Sequence, residues 1–224
     1  MSSRRVKIAG TRRGPRRARR RGPVLIGLTG SIAMGKSTTA NFLKSLGVLV
    51  FDADASVHVF MGPKGKALAA LKQRFPGVVG AQGVDRKALG ALVFADRQAL
   101  RDLEAIIHPL VREDRERFLK NARLRRHPVV ALDIPLLFEG KNHSAFDLVV
   151  VVSAPAFLQR QRALARPAMT PRRLEGILAQ QWPDARKRAH ADIIIPSGLG
   201  KRETLRRLKQ FLKVRKLKTR RKGS

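Results

Sequence analysis

Eight consecutive residues, Gly30-Ser31-Ile32-Ala33-Met34-Gly35-Lys36-Ser37, set two glycines, an ammonium and a hydroxyl at the spacing of a loop that wraps a phosphate. The glycines let successive backbone N–H groups turn inward on an anion, and a helix starting at the end of the loop points its positive end at the same place. Gly30, Ala33, Met34, Gly35, Lys36, Ser37 and Thr38 are therefore the expected nucleoside-triphosphate set. Lys36 would bridge the β- and γ-phosphates, and Ser37 would offer its hydroxyl to Mg²⁺, a hard cation that keeps several waters beside a nucleotide. Two carboxylates follow in Asp52-Ala53-Asp54. Either could take a proton from a hydroxyl that attacks the phosphate, and their spacing does not choose between them. Asp52 could equally cap the next helix.

These groups need strands that end where the phosphate sits. The apolar run Val24 to Leu28 precedes the loop, and a helix-like stretch from Ser37 to Leu46 follows it. Val48 to Phe51 is a second apolar run, a buried parallel strand that delivers the two aspartates at its carboxyl end, which is where ligands bind in open α/β sheets. Pro128 to Leu132 is a third strand, ending at Asp133. That aspartate is open to two readings, metal-linked or structural. Asp147 to Ser153 and Asp192 to Ile195 complete five strands.

Between the second and third strands, Gly65 to Arg126 reads as helical throughout, with loops at Pro76-Gly77 and Gly80 to Gly83. So long a stretch exceeds a single crossover and predicts a helical lobe, an insertion over about 60–126. A helix from Pro155 carries Arg160, Arg162 and Arg166, Thr170-Pro171 reads as an N-cap with proline in the first turn, and Pro183 to Ala191 is helical. Together they make a helical lid over about 155–191, in which Arg186 and Lys187 are expected on a solvated face and Trp182 in the core. Lys201 to about Val214 is a closing amphipathic helix. The alternation predicts an α/β fold with a five-stranded parallel sheet covered by helices on both faces.

Composition narrows the partners. The 224 residues suffice for one substantial core. There is no cysteine, which excludes disulfides and thiolate metal sites. No apolar run approaches the length of a spanning helix, and a cytoplasmic protein with no membrane partner is expected. The net charge is +32, but residues 1–23 hold ten Lys and Arg with no acid and residues 201–224 hold twelve with one. Much of the excess therefore lies at the ends. Residues 1–23 are read as a disordered basic tail, residues 24–214 as the folded domain and 215–224 as a second basic tail. The Arg-rich composition of the first tail also fits an organelle-targeting peptide, though no amphipathic face is found in it. Nonspecific nucleic-acid binding by the tails is compatible with the charge; a specific nucleic-acid partner is not expected.

The ordered motifs resemble one family, the dephospho-coenzyme A kinases. Gly27-Leu28-Thr29-Gly30 through Thr38, Val50 to His58 with Asp52-Ala53-Asp54-x-x-x-His58, Ile107-His108-Pro109-Leu110-Val111-Arg112, Pro135-Leu136-Leu137-Phe138-Glu139, Arg162-x-x-x-Arg166-x-x-Met169-Thr170, and Gln181-x-Pro183-x-x-x-Lys187 with Ala191-Asp192 follow in the family's order. The resemblance implies a P-loop NTPase fold and transfer of the γ-phosphoryl group of ATP to the 3′-hydroxyl of the ribose of dephospho-coenzyme A. It implies Asp54 as the base, Lys36, Arg162 and Arg166 as charge-neutralising groups, and Asp52, His58, His108 and Arg112 on the coenzyme side. The loop departs from the family in having Ser31-Ile32-Ala33-Met34 where more glycine and serine is usual. Pro167 beside Arg166 and the two tails also lie outside the pattern. Two rival readings are a kinase of the same fold acting on a nucleoside, nucleotide or small metabolite, and a basic nucleic-acid-binding protein.

Overall fold

A computed structural model describes residues 22–140, 142–215 and 217. Most of both basic tails lies outside the described residues. The chain divides into two compact units, one made of the described residues up to Phe51 and from Ala122 on, the other of Asp52–Asn121.

The first unit is built on a five-stranded parallel sheet of β1 (Val24–Thr29), β2 (Leu49–Asp52), β5 (Val129–Asp133), β6 (Leu148–Ser153) and β7 (Ile193–Pro196) in the order β2-β5-β1-β6-β7. Register follows from burial: Leu28 lies opposite Asp133 and Val150, and Ile26, Leu28, Val129, Ala131, Val150, Val152 and Ile195 form one continuous apolar face. Against that face pack Ala40 and Leu43 of α1 (Lys36–Ser45) and Leu208, Phe211 and Leu212 of α9 (Lys201–Val214). The opposite face is also dry, with Val130, Leu132, Val149 and Val151 all nearly inaccessible, as expected of strands that read as unbroken apolar runs. β1 lies centrally, and the chain passes to β2 on one side and has β6 on the other. Such a reversal of strand order opens a crevice at the carboxyl ends of the strands, and the loop 30–35 leaves β1 there. The unit is completed by α6 (Ala156–Leu164), α7 (Pro171–Ala179) and α8 (Asp184–Ala189).

The second unit holds α2 (Ala53–Phe60), α3 (Leu68–Arg74), α4 (Arg86–Ala95) and most of α5 (Arg97–Leu124) around Phe60, Leu71, Phe75, Leu89, Val93 and Ile107. The expectation of helix throughout is corrected at one place, where β3 (Val79–Gly80) and β4 (Gly83–Val84) pair antiparallel. Gly83 has φ +93, and a side chain there would meet the Met61 carbonyl at 2.4 Å, so only glycine permits the turn. Two-residue strands are too short to show an alternating pattern in sequence. α5 runs unbroken through Pro109. No helix of the described residues is long and apolar enough to cross a membrane.

Candidate active site

The loop after β1 owes its path to two glycines. A Cβ on Gly30 would lie 2.7 Å from the Val152 carbonyl, and Gly35 sits at φ +88 with the Ser197 side chain 3.1 Å from where its own would be. Between them Ala33 adopts φ 60, a left-handed conformation that costs a non-glycine residue about 1–3 kcal/mol. Its setting offsets that cost: Ile32 and Ala33 pack with Ala163, Leu164, Leu174 and Leu178 of α6 and α7, and Met34 is buried with Sδ accepting from Ala154 N at 3.1 Å. The apolar Ile-Ala-Met stretch thus serves as packing surface. α1 starts with no side-chain cap and no acid in its first turn, which leaves helix N-terminal N–H groups suited to an anion.

Lys36 Nζ is ion-paired with Asp133 at the end of β5, their side chains 16% and 4% exposed. Asp133, open between two roles in sequence, therefore holds the loop lysine. Arg162 reaches the loop from α6: Nη1 and Nη2 donate to Ser197 Oγ and O, each at 3.1 Å, and Nη1 lies 4.0 Å from the position of a Gly35 Cβ. Arg166, one turn further on, is exposed with no side-chain partner among the described residues, so the two lid arginines are not alike. Ser37 is exposed and Thr38 half-buried. Ser37 is a hard oxygen donor of the kind Mg²⁺ accepts, and an ion carried by phosphates needs few protein ligands; among the described residues no group of three metal-ligating side chains occurs.

Two glutamines tie the segment after β6 to the loop, and neither was assigned a role in the sequence. Ile32 N donates to Gln181 Oε1 and Ile32 O accepts from Gln159 Nε2, both at 3.0 Å. The segment bearing Gln181 is fixed in turn by Glu139, whose Oε1 accepts from Trp182 N at 2.7 Å and lies 2.9 Å from Lys187 Nζ. The expectation of a solvated Lys187 is corrected: its side chain is fully buried. Its contact with Glu139 is an ion pair by distance, but Nζ makes no well-directed hydrogen bond among the described residues. A buried lysine is rare unless paired, and nothing local in α8 announces the pairing. Burial pushes the Glu139 carboxyl up, but the Trp182 N–H and the Lys187 ammonium outweigh it and hold it below its ordinary value. Trp182 stacks on Phe138 at 5.5 Å and 10°, with the exposed Arg186 guanidinium 3.6 Å over its ring. Expected in the core, Trp182 is instead half-buried, covered by Phe138 and Arg186.

The remaining expected residues belong to Asp52–Asn121. Asp52 caps α2, its Oδ1 accepting from Ala55 N at 3.1 Å. Asp54 lies exposed in the first turn of α2, and His58 is exposed in its last; residues four apart share a helix face. His108 and Arg112 have the same spacing on α5 and are likewise exposed. α2 and α5 are joined by Ser56 Oγ donating to Asp114 Oδ2 at 2.6 Å. Neither Arg112 nor either histidine has an ion-pair partner among the described residues, whereas Glu113 faces Lys66 and Arg117.

Comparison with known proteins agrees with this construction. The dephospho-CoA kinase family model matches residues 24–200. The chain is 53% identical over 190 residues to the dephospho-CoA kinase of Rhodospirillum rubrum, covering 84% of this chain and 90% of that one. It is 58% identical over 164 residues to that of Paramagnetospirillum magneticum, covering 73% and 77%. A crystal structure of a Thermus thermophilus protein superposes with a TM-score of 0.75 at 33% identity, covering 87% and 98%. The dephospho-CoA kinase of Campylobacter jejuni, at 23% identity and a TM-score of 0.61, shares the fold. A phosphate loop at the sheet's switch point, a lysine and an arginine brought to it, and a family match over nearly the whole folded chain lead to one conclusion: this protein belongs to the dephospho-CoA kinase family.

Proposed function

We propose that the chain transfers the γ-phosphoryl group of ATP to the 3′-hydroxyl of the ribose of dephospho-coenzyme A, giving coenzyme A and ADP. The observation that carries this reading is the arrival of two cations, Lys36 and Arg162, at a loop whose glycines and helix N-terminus suit a phosphate. Phosphoryl transfer asks a protein mainly to position groups and neutralise charge. The N–H groups of Ala33 to Lys36 and the Lys36 ammonium bind the β- and γ-phosphates. Arg162 stands by for the charge that spreads over the transferring oxygens, and Arg166, exposed and without a side-chain partner among the described residues, is a second cation for the same phosphates. Gly30 and Gly35 keep the loop's path, and Ser37, flanked by Thr38, would hold Mg²⁺, which would offset phosphate charge.

Asp54 accepts the proton of the attacking hydroxyl. It is exposed and makes no side-chain bond among the described residues, so its carboxylate is available, whereas the Asp52 side chain is engaged as a cap. That contrast supports the assignment made from the family pattern. His58, His108 and Arg112 contact the coenzyme, with Asp52 fixing the helix that carries Asp54 and His58. In this reading the insertion (about 60–126) binds the acceptor and the segment of about 155–191 is the lid.

A coupled ADP-release assay with dephospho-coenzyme A, a set of nucleosides and nucleotides, and small-metabolite alcohols tests the reading. ADP release that depends on dephospho-coenzyme A and on no other acceptor is expected. Release driven equally well by a nucleoside or a small alcohol would replace the acceptor, and no release with any of them would remove the enzyme reading.

A further inference from the structure

Among the described residues Arg162 is held at the phosphate loop by Ser197, to which neither the sequence motifs nor the reading above gives a part. Ser197 follows β7, is 9% exposed and is pinned by its own N–H donating to Ser153 O at 2.9 Å. Its hydroxyl donates to the Met34 carbonyl of the loop at 2.6 Å and accepts from Arg162 Nη1 at 3.1 Å. Its carbonyl accepts from Arg162 Nη2 at 3.1 Å. A hydroxyl has one proton to give and two lone pairs to receive, so both bonds are made at once without conflict.

We propose that Ser197 is a positioning residue for phosphoryl transfer, fixing Arg162 to the phosphate loop so that the remaining guanidinium N–H groups face the transferring phosphoryl group. The inference rests on the role given to Arg162 above. A guanidinium carries five N–H donors; Ser197 occupies two, on different nitrogens, which sets the plane of the fork and leaves three. Arginine is otherwise a flexible chain that must be ordered at the moment of reaction, and ordering it beforehand is what raises the rate. The contact also makes the arrangement depend on the loop. Gly35 packs on the Ser197 side chain, with 3.1 Å between a built Cβ and Oγ, and Oγ bonds the carbonyl of the residue before it. A shift of the loop on taking up a triphosphate therefore moves Ser197 Oγ, and Arg162 with it.

The test is a double-mutant cycle with Ser197→Ala and Arg162→Ala, reading kcat and both KM values with ATP and dephospho-coenzyme A, and thermal unfolding of each variant. Ser197→Ala is expected to lower kcat about tenfold, because misplacing a group that acts on the transition state costs rate before it costs binding. The ATP KM should stay within about twofold. In the Arg162→Ala background the same substitution should change kcat by less than about twofold, since there is no guanidinium left to position. An equal loss in both backgrounds would show Ser197 acting through the loop or the fold and would overturn the inference while leaving Arg162 its role. Wild-type kcat in Arg162→Ala would overturn the role of Arg162, and the inference with it. If Ser197→Ala unfolds at the assay temperature, Ser197→Cys, which keeps the bulk but bonds weakly, takes its place in the cycle with the same expectations.

Discussion

Lys36, Arg162 and the Ile32 peptide in the sheet-based unit each have named protein partners: Asp133, Ser197, and the amides of Gln159 and Gln181. Asp54, His58, His108 and Arg112 in the helical unit are exposed on α2 and α5, without side-chain partners among the described residues. The contrast matches what each is asked to do. Phosphates are handled by preorganised dipoles and cations, which gain from being ordered before reaction. A larger acceptor is recognised by side chains that stay solvated until it arrives and are ordered on binding.

The comparison is broken most severely by substitutions that should cost turnover alike and stability unlike. Lys36→Met is expected to lower kcat/KM by about 10³-fold or more, and to destabilise the fold by about 3–5 kcal/mol because the buried Asp133 carboxylate loses the ammonium beside it. Asp54→Asn should lower kcat by about 10²–10⁴-fold with under about 1 kcal/mol lost, the worth of an exposed acid in a helix's first turn. Equal stability losses, measured by urea unfolding, would dissolve the distinction. Next in size is Lys187→Met, expected to cost about 3–5 kcal/mol by taking the buried ammonium from Glu139, with part of it recovered when Glu139→Leu is added. A double variant no more stable than the single would mean the pair is not what holds α8. Arg112→Ala should raise the KM for dephospho-coenzyme A about tenfold, a loss of about 1.4 kcal/mol, while the ATP KM and the unfolding midpoint stay put. An unchanged acceptor KM would remove Arg112 from recognition.

The smallest effect is in acid. The Glu139 carboxyl lies below its ordinary value of 4.5 in the folded chain. Its contribution to stability is therefore complete above that value and is lost as pH falls through the lower, folded one. Glu139→Gln should flatten this part of the stability profile as pH falls below 4.5, and an unaltered slope would count against the pairing.

The strands of the five-stranded sheet were legible because each holds a short apolar run, buried on both faces in β5 and β6, and the loop because its glycines, lysine and serine are adjacent in the chain. What could not be read was what meets across long separations. Gln181 and Gln159 lie 149 and 127 residues from Ile32, and Ser197 lies 163 from Met34; a glutamine or serine in a polar stretch carries no local sign of such a partner. Lys187 misled for the opposite reason, since a lysine among Arg186 and Arg188 in a six-residue helix reads as surface until Glu139 is placed beside it. The β3–β4 hairpin fell below the length at which alternation can be seen. His58, His108 and Arg112 stood out in sequence only through the family pattern, which also chose Asp54 over Asp52, because exposed side chains on amphipathic helices look alike whether or not they await a ligand.

Whether this chain, holding ATP on the 30–37 loop, phosphorylates the ribose of dephospho-coenzyme A can be followed by phosphorus NMR of the reaction mixture. Resonances of ADP and of a ribose 3′-phosphomonoester should grow together, one for one, in the wild type and not in Asp54→Asn. ADP appearing with inorganic phosphate and no phosphomonoester, or a phosphomonoester at another hydroxyl, would contradict the proposed transfer.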